Sequence, residues 1–298
     1  MTGVLLLAFV LQTFAYAAPV LFAALGEVFS ERVGVINIGL EGLMLVGALS
    51  AVVASAAASS ALAGVLAAFV AGGLGGLLFA AFAVGLARDQ VIVGTTLNFL
   101  AAGLTGVWYR AWTSGGTKAQ TAPALRPLFG ESGTSLNALT LLALLLVPLG
   151  HFLLVRTRLG VLLRATGEVP EAAAASGARV NRIRAVVCAL TGGLCGLGGA
   201  ALSIGISNTF TENMTGGRGF IALAIVVFGR WSPVGAWGAA LLFAAADVAQ
   251  ARLQASGAFH IPYPVFLAIP YVLTLVALAI RGGSVRAPAA LGVPFEQG

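Results

Sequence analysis

Apolar runs long enough to cross a bilayer alternate with short polar breaks along almost the whole chain. They predict transmembrane helices over about residues 4–25, from about 33, over 61–87, 91–109 and 136–155, from about 185, and over 234–254 and 261–280. A further run, 220–228, holds nine residues, too few to cross ~30 Å of hydrocarbon as a helix without help from its flanks, and reads as a half-helix. Lipid offers no partners for unpaired backbone groups, so the spans are helices and the fold class is all-α. The organisation predicted is a single polytopic domain over 1–282 with eight to ten spans, then a polar, mobile tail over 283–298.

Composition strengthens this picture. Hydrophobic residues make up 59% of the 298 residues and charged residues 9%, against about 25% charged in soluble domains; mean hydropathy is +1.00. The net charge of +6 does not indicate nucleic acid, because the basic residues are scattered singly or gathered in one loop beside spans. If the 219–229 region crosses, there are nine crossings. Eleven basic residues then fall on one side, including six from Arg156 to Arg184, and five on the other. The arginine-rich loop therefore faces the cytoplasm and the N-terminus lies outside. Cys188 and Cys195 share one span and report packing. The first basic residue is Arg32, so the first run stays as a span and is not a cleaved leader.

The second span carries GVINIGLEGLMLVGA. Asn37 and Glu41 are four apart, which places them on one helical face, and the surrounding glycines permit close approach or a break. An acid at membrane depth is costly, so Glu41 either faces a cavity as a functional group or holds helices together. Thr95, Thr96 and Asn98 on the fourth span line a polar path or bond their own helix. Asp247 on the 234–254 span is a further intramembrane acid. Asn37, Glu41, Thr95, Asn98 and Asp247 are the candidates for a substrate path. Gly72 and Gly76 have the spacing of close helix contacts, and TGGLCGLGGA at 191–200 suits packing or flexing. The segments GVINIGLEGLMLVGA and GRGFIALAIVVFGRWSPVGA are paired glycine-bounded interruptions, a pattern found around transport sites.

The segment 156–184 contains a short surface helix. Glu168 and Glu171 flank Pro170 at the first helical position, Ala172 to Ala175 follow, and Gly177 stands at the C-cap. Two turns are marginal alone, so neighbouring spans or a partner must hold the helix. Composition leaves two readings open: an ordinary positive loop, or a docking helix for a soluble motor. The single lysine, Lys118, follows Thr117 and not a glycine, so the chain has no Walker A loop. The two histidines lack metal-ligand spacing and no G-x-S-x-G is present, so the chain does not read as an enzyme.

ERVGVINIGLEGLMLVGA, DQVIVGTTLNFLAAGLTGVWYR, ATGEVPEAAAASGARV, GRGFIALAIVVFGRWSPVGA and IPYPVFLAIPYVLTLVALAIRGG resemble, in this order, segments of ABC importer permeases for nucleosides and simple sugars. That group extends to ribose and branched-chain amino acid permeases. The resemblance implies a non-enzymatic permease of the bacterial inner membrane that pairs with a second, related or identical permease. It also implies two cytoplasmic ATPases, which hydrolyse the ATP, and an extracytoplasmic substrate-binding protein, often a lipoprotein. The family's coupling segment, typically G-E-N-P-E-A-A, maps onto Gly167, Glu168, Val169, Pro170, Glu171, Ala172 and Ala173, with Val169 in place of the usual capping asparagine. Two other classes compete: an ion-coupled transporter using Glu41 or Asp247, and a non-transporting scaffold.

Overall fold

The computed structural model describes residues 2–113, 123–129, 136–256 and 287–295. The order is α1 Thr2–Arg32, α2 Leu40–Ala58, α3 Ala61–Ala80, α4 Gln90–Thr113, strands β1 Pro127–Phe129 and β2 Leu136–Asn137, α5 Ala138–Arg156, α6 Arg158–Glu168, α7 Pro170–Ala175, α8 Val180–Leu202, α9 Arg218–Phe228 and α10 Pro233–Ser256. Short π-helical turns extend α3 over Ala81–Gly85 and α8 over Ser203–Ser207. Seven of these helices are long and apolar enough to span a membrane. The span predicted over 261–280, Lys118 and His260 lie outside the described residues.

Helix α8 is the centre of the bundle, enclosed by α1, α2 and α3. Its glycines allow backbone-to-backbone contact. A methyl group added at Gly196 would overlap the carbonyl of Ala68, one at Gly72 the carbonyl of Gly192, and one at Gly199 the carbonyl of Met44. Lipid removes the hydrophobic drive for helices to associate, so this close approach supplies the dispersion contacts that hold them. The glycine-dense stretch therefore packs. Cys188 and Cys195 are free thiols buried on the same helix. By contrast α4 exposes Phe99, Val107 and Trp108, as a lipid-facing helix should.

Two boundaries depart from the sequence expectation. The first span does not end near residue 25, because Glu27, Ser30 and Glu31 are buried in a helix that runs on to Arg32. Each finds a partner, although Glu27 Oε2 has none: Asn37 N donates to Glu27 Oε1 at 2.7 Å, Ser30 Oγ to the Val35 carbonyl at 2.9 Å, and Trp231 Nε1 to Glu31 Oε2. Gly34, at φ +87°, stops the helix, with Gly34 N donating to Glu31 O and Val35 N to Ser30 O. The second span then starts at Leu40, so Asn37 precedes the helix and does not share a helical face with Glu41.

Helix α9 has eleven residues, about 16 Å at 1.5 Å per residue, half of a membrane. The half-helix expectation holds, and the non-helical segment before it completes a crossing. Glu212 pairs with Arg110 at the far end of α4, through Nε and Nη2 at 2.8 Å each, whereas the Trp231 carbonyl accepts from Arg32 Nε at 2.8 Å. Arg110 and Arg32 mark opposite faces, so residues 212–231 pass between them. The guanidinium of Arg110 holds the Glu212 carboxyl below the usual carboxylate range, an effect lost as pH falls and small because both groups are exposed. On the Arg110 face, Leu125 N donates to Ile204 O and Asn137 Nδ2 to Gly205 O at 3.1 Å, tying the β-ribbon over α8.

The tail is not mobile over 287–295. Ala290 N donates to the Gly167 carbonyl at 2.9 Å and Gly292 N to the Gly34 carbonyl at 3.1 Å, which fixes the segment against the Arg32 end of the bundle.

Packing at α8 gives a direct check. Gly196→Val is expected to lower the melting temperature of the detergent-solubilised protein by the equivalent of about 1–3 kcal/mol or more, because backbone cannot move aside. Gly103 on α4 has open space around it, so Gly103→Ala is expected to leave the melting temperature unchanged or raise it.

Candidate functional site: a short surface helix and a junction of two helix starts

The arginine-rich segment folds as two short helices joined at Val169. Thr157 caps α6, its side chain accepting from Gly160 N at 3.1 Å. Pro170 opens α7 at its first position, and Val169 provides no side-chain cap, as its replacement of asparagine leads one to expect. At the other end Gly177 takes φ +92°, with Gly177 N donating to Ala174 O and Ala178 N to Ala173 O, a Schellman closure. Pro170 and Ala173 are buried and Gly167 lies against the end of α1, while Glu168, Val169, Glu171 and Ala172 are exposed. A six-residue helix seated on the bundle thus presents one acidic and apolar face outward. The sequence signalled α7; α6 went unrecognised, although Thr157 is an ordinary cap signal.

Inside the bundle, the break before α2 and the start of α9 meet. A methyl group added at Gly219 would overlap the Glu41 amide nitrogen, so the N-terminal ends of α2 and α9 abut. Both ends carry unpaired N–H groups and positive dipole charge. The Glu41 carboxylate answers this: Oε1 accepts from Gly217 N at 2.8 Å and Oε2 from Gly219 N at 2.6 Å. On the α2 side, Asn98 Oδ1 accepts from Gly42 N at 2.8 Å while its Nδ2 donates to Ile38 O at 2.9 Å. Asn37 Oδ1 accepts from Gly39 N at 2.9 Å. The structure therefore gathers Asn37, Glu41 and Asn98 at one place, where their oxygens close broken backbone.

The other two path candidates lie elsewhere. Thr95 Oγ1 donates to Val91 O and Ile92 O of its own helix, at 2.9 and 3.0 Å. Asp247 on α10 is partly buried and within electrostatic reach of Arg218, whose side chain folds back on the Thr215 carbonyl at 3.2 Å. A cavity of about 520 Å³ between α3 and α4 is lined by Leu78, Phe79, Phe82 and Ile92, with Arg88 and Asp89 at its end. Its apolar wall offers little to a polar solute.

Sequence reasoning missed Glu27, Glu31 and Trp231. Their signal was present: Glu27, Ser30 and Glu31 follow the i, i+3, i+4 spacing of a single helical face.

Glu41 provides the check on this site. Glutamine has one acceptor oxygen, so Glu41→Gln leaves Gly217 N or Gly219 N unpaired. The expected loss is about 1–3 kcal/mol, read as a lower melting temperature with substrate uptake reduced; Glu41→Asp is expected to fall short as well, because the shorter side chain cannot span both amides.

Residues 9–278 match the family described as the branched-chain amino acid transport system permease component. The guanosine ABC transporter permease protein NupQ of Bacillus subtilis is 37% identical, over 96% of this chain and 95% of its own length. The nucleoside ABC transporter permease protein NupC of Lactococcus lactis is 33% identical over 94% of each chain. A putative glucose ABC transporter permease protein, TsgC13 of Haloferax volcanii, is 37% identical over 80% of this chain and 75% of its own. No solved structure matches the chain. The resemblance read from the five sequence segments is thus met along nearly the full length, and the chain belongs to the branched-chain amino acid transport system permease family, as the multi-pass membrane permease component of an ABC importer.

Proposed function

We propose that this permease carries a nucleoside, with simple sugars as the nearest competing class, and that α7 is the surface on which a cytoplasmic ATPase docks. The observation that carries the substrate class is the match to guanosine and nucleoside permeases over almost the whole of both chains; the glucose permease relative aligns over less of each. Support for the docking role comes from the position of α7, seated through Pro170 and Ala173 with Glu168, Glu171 and Ala172 outward.

In this reading ATP is bound and hydrolysed in partner subunits, a second permease completes the path, and an extracytoplasmic binding protein delivers substrate. ATPase closure moves α7, and the permease exchanges outward for inward access because the contacts differ between the two states. Asn37, Glu41 and Asn98 contribute by holding the broken helices at the path. The crossing is suited to this work, since a joint between the start of α2 and the half-helix α9 repositions without unpairing a whole span.

The test is uptake into vesicles that contain this chain with the proteins encoded beside it, using labelled guanosine, other nucleosides, ribose and glucose. ATP-dependent nucleoside uptake that falls at least tenfold in Glu171→Arg, with the variant present at wild-type level, is the expected result; a tenfold loss corresponds to about 1.4 kcal/mol. Uptake driven by a proton or sodium gradient with no ATPase present overturns the reading, and sugar uptake without nucleoside uptake overturns the substrate class.

A further inference from the structure

Of the six arginines from Arg156 to Arg184, one is buried. Arg184, near the start of α8, is 1% exposed. Among the described residues the single ion pair is Arg110 with Glu212, so no described carboxylate touches Arg184, and Glu171 acts on it only from beyond contact distance. Its guanidinium is divided among three main-chain carbonyls instead. Nε donates to Val33 O at 3.0 Å, Nη1 to Val293 O at 3.0 Å and Nη2 to Thr166 O at 3.4 Å. A buried cation held only by carbonyls is costly unless every donor is placed, and the planar fork of arginine is the side chain that can serve three acceptors at once.

The three carbonyls belong to the three parts that a docking stroke must connect. Thr166 lies in the last turn of α6, four residues before Pro170. Val33 lies at the break that leads to Glu41. Val293 belongs to the tail, which adds its own bridges: Ala289 N to Glu168 Oε2 at 3.3 Å, Ala290 N to Gly167 O at 2.9 Å, Gly292 N to Gly34 O at 3.1 Å, and Phe295 O from Asn181 Nδ2 at 3.2 Å. Space is tight: a methyl group at Gly34 would lie 2.7 Å from Arg184 Nη2, and one at Gly167 would overlap the Arg32 carbonyl. Beyond Gly34 the connection continues, with Ile36 N bonded to Gln90 Oε1 at 2.8 Å and Asn37 N to Glu27. Hydrogen bonds and the main chain between them thus lead from the end of α6, next to α7, to the Glu41 joint.

We propose that Arg184 and the tail segment 287–295 form a clamp that transmits movement of the docking helix to the broken start of α2, so that Arg184 is a positioning residue for energy coupling and the C-terminal tail is part of the coupling machinery. This rests on the ATPase-docking reading given above. Of the outward residues the clamp touches only Glu168, through Ala289 N, and Arg184 touches none of them, so its loss leaves Glu171 and Ala172 to dock and separates hydrolysis from transport.

The experiment compares the assembled complex carrying wild-type chain, Arg184→Gln, Arg184→Lys, a chain ending at residue 286, and Glu171→Arg. For each, bound ATPase, ATP hydrolysis and substrate moved per ATP hydrolysed are measured. Arg184→Gln and the shortened chain are expected to keep the ATPase bound and hydrolysing while transport per ATP falls by about fivefold or more, the low end of typical coupling factors. Lysine, a point charge without the fork, is expected not to restore the ratio. Glu171→Arg is expected to lose the ATPase itself. A merely structural role lowers the amount of assembled complex and leaves the ratio unchanged, so a wild-type ratio in assembled Arg184→Gln or in the shortened chain overturns the clamp. If Arg184→Gln does not assemble, the shortened chain decides by the same ratio. A wild-type chain that binds no ATPase and transports without ATP removes the docking reading and the clamp with it.

Discussion

The carboxylate of Glu41 on the amides of Gly217 and Gly219 is the contact on which the interior arrangement depends. Two helices begin inside the membrane and point their N-terminal ends at one another. In hydrocarbon every unpaired N–H is expensive, and two positive helix ends repel. One anion placed between them settles both problems. Asn98 and Asn37 complete the closure from the α2 side, so an acid that looked costly in isolation is the element that permits a broken span.

Around this joint the bundle is held by proximity of backbone to backbone. The glycines of α8 let α2 and α3 come close enough for their main chains to touch, and dispersion attraction falls off steeply with any added separation. The result is a stiff block against which the joint and the short helices α6 and α7 are set. Helix α4 lies at its edge, bound mainly through α2 and through Arg110 to the segment before α9.

Much of this was legible in the sequence, for particular reasons. Pro170 and Gly177 carry conformational preferences that announce α7 with no tertiary information. The length of the 220–228 run was enough to indicate a half-helix; polarity at depth singled out Asn37, Glu41 and Asn98, which meet, and equally Thr95 and Asp247, which make no bond to them. What could not be read was the partner of each group. The amides that bind Glu41 lie 176 and 178 residues away, and a main-chain N–H has no sequence signature. The same holds for Arg184, whose acceptors are carbonyls. The end of α1 was misplaced because Glu27, Ser30 and Glu31 look like an exposed break until Asn37, the Val35 carbonyl and Trp231 are seen to bond them.

The tail engages the bundle through its main chain: Ala289, Ala290 and Gly292 offer amides, and Val293 and Phe295 offer carbonyls. Such a segment is read by direction and register, not by side-chain identity. Apart from Gly292, whose φ of +77° favours glycine, its spacing is held more tightly than its composition, since inserting or removing one residue shifts every donor and acceptor beyond that point out of step with Gly34, Gly167 and Arg184.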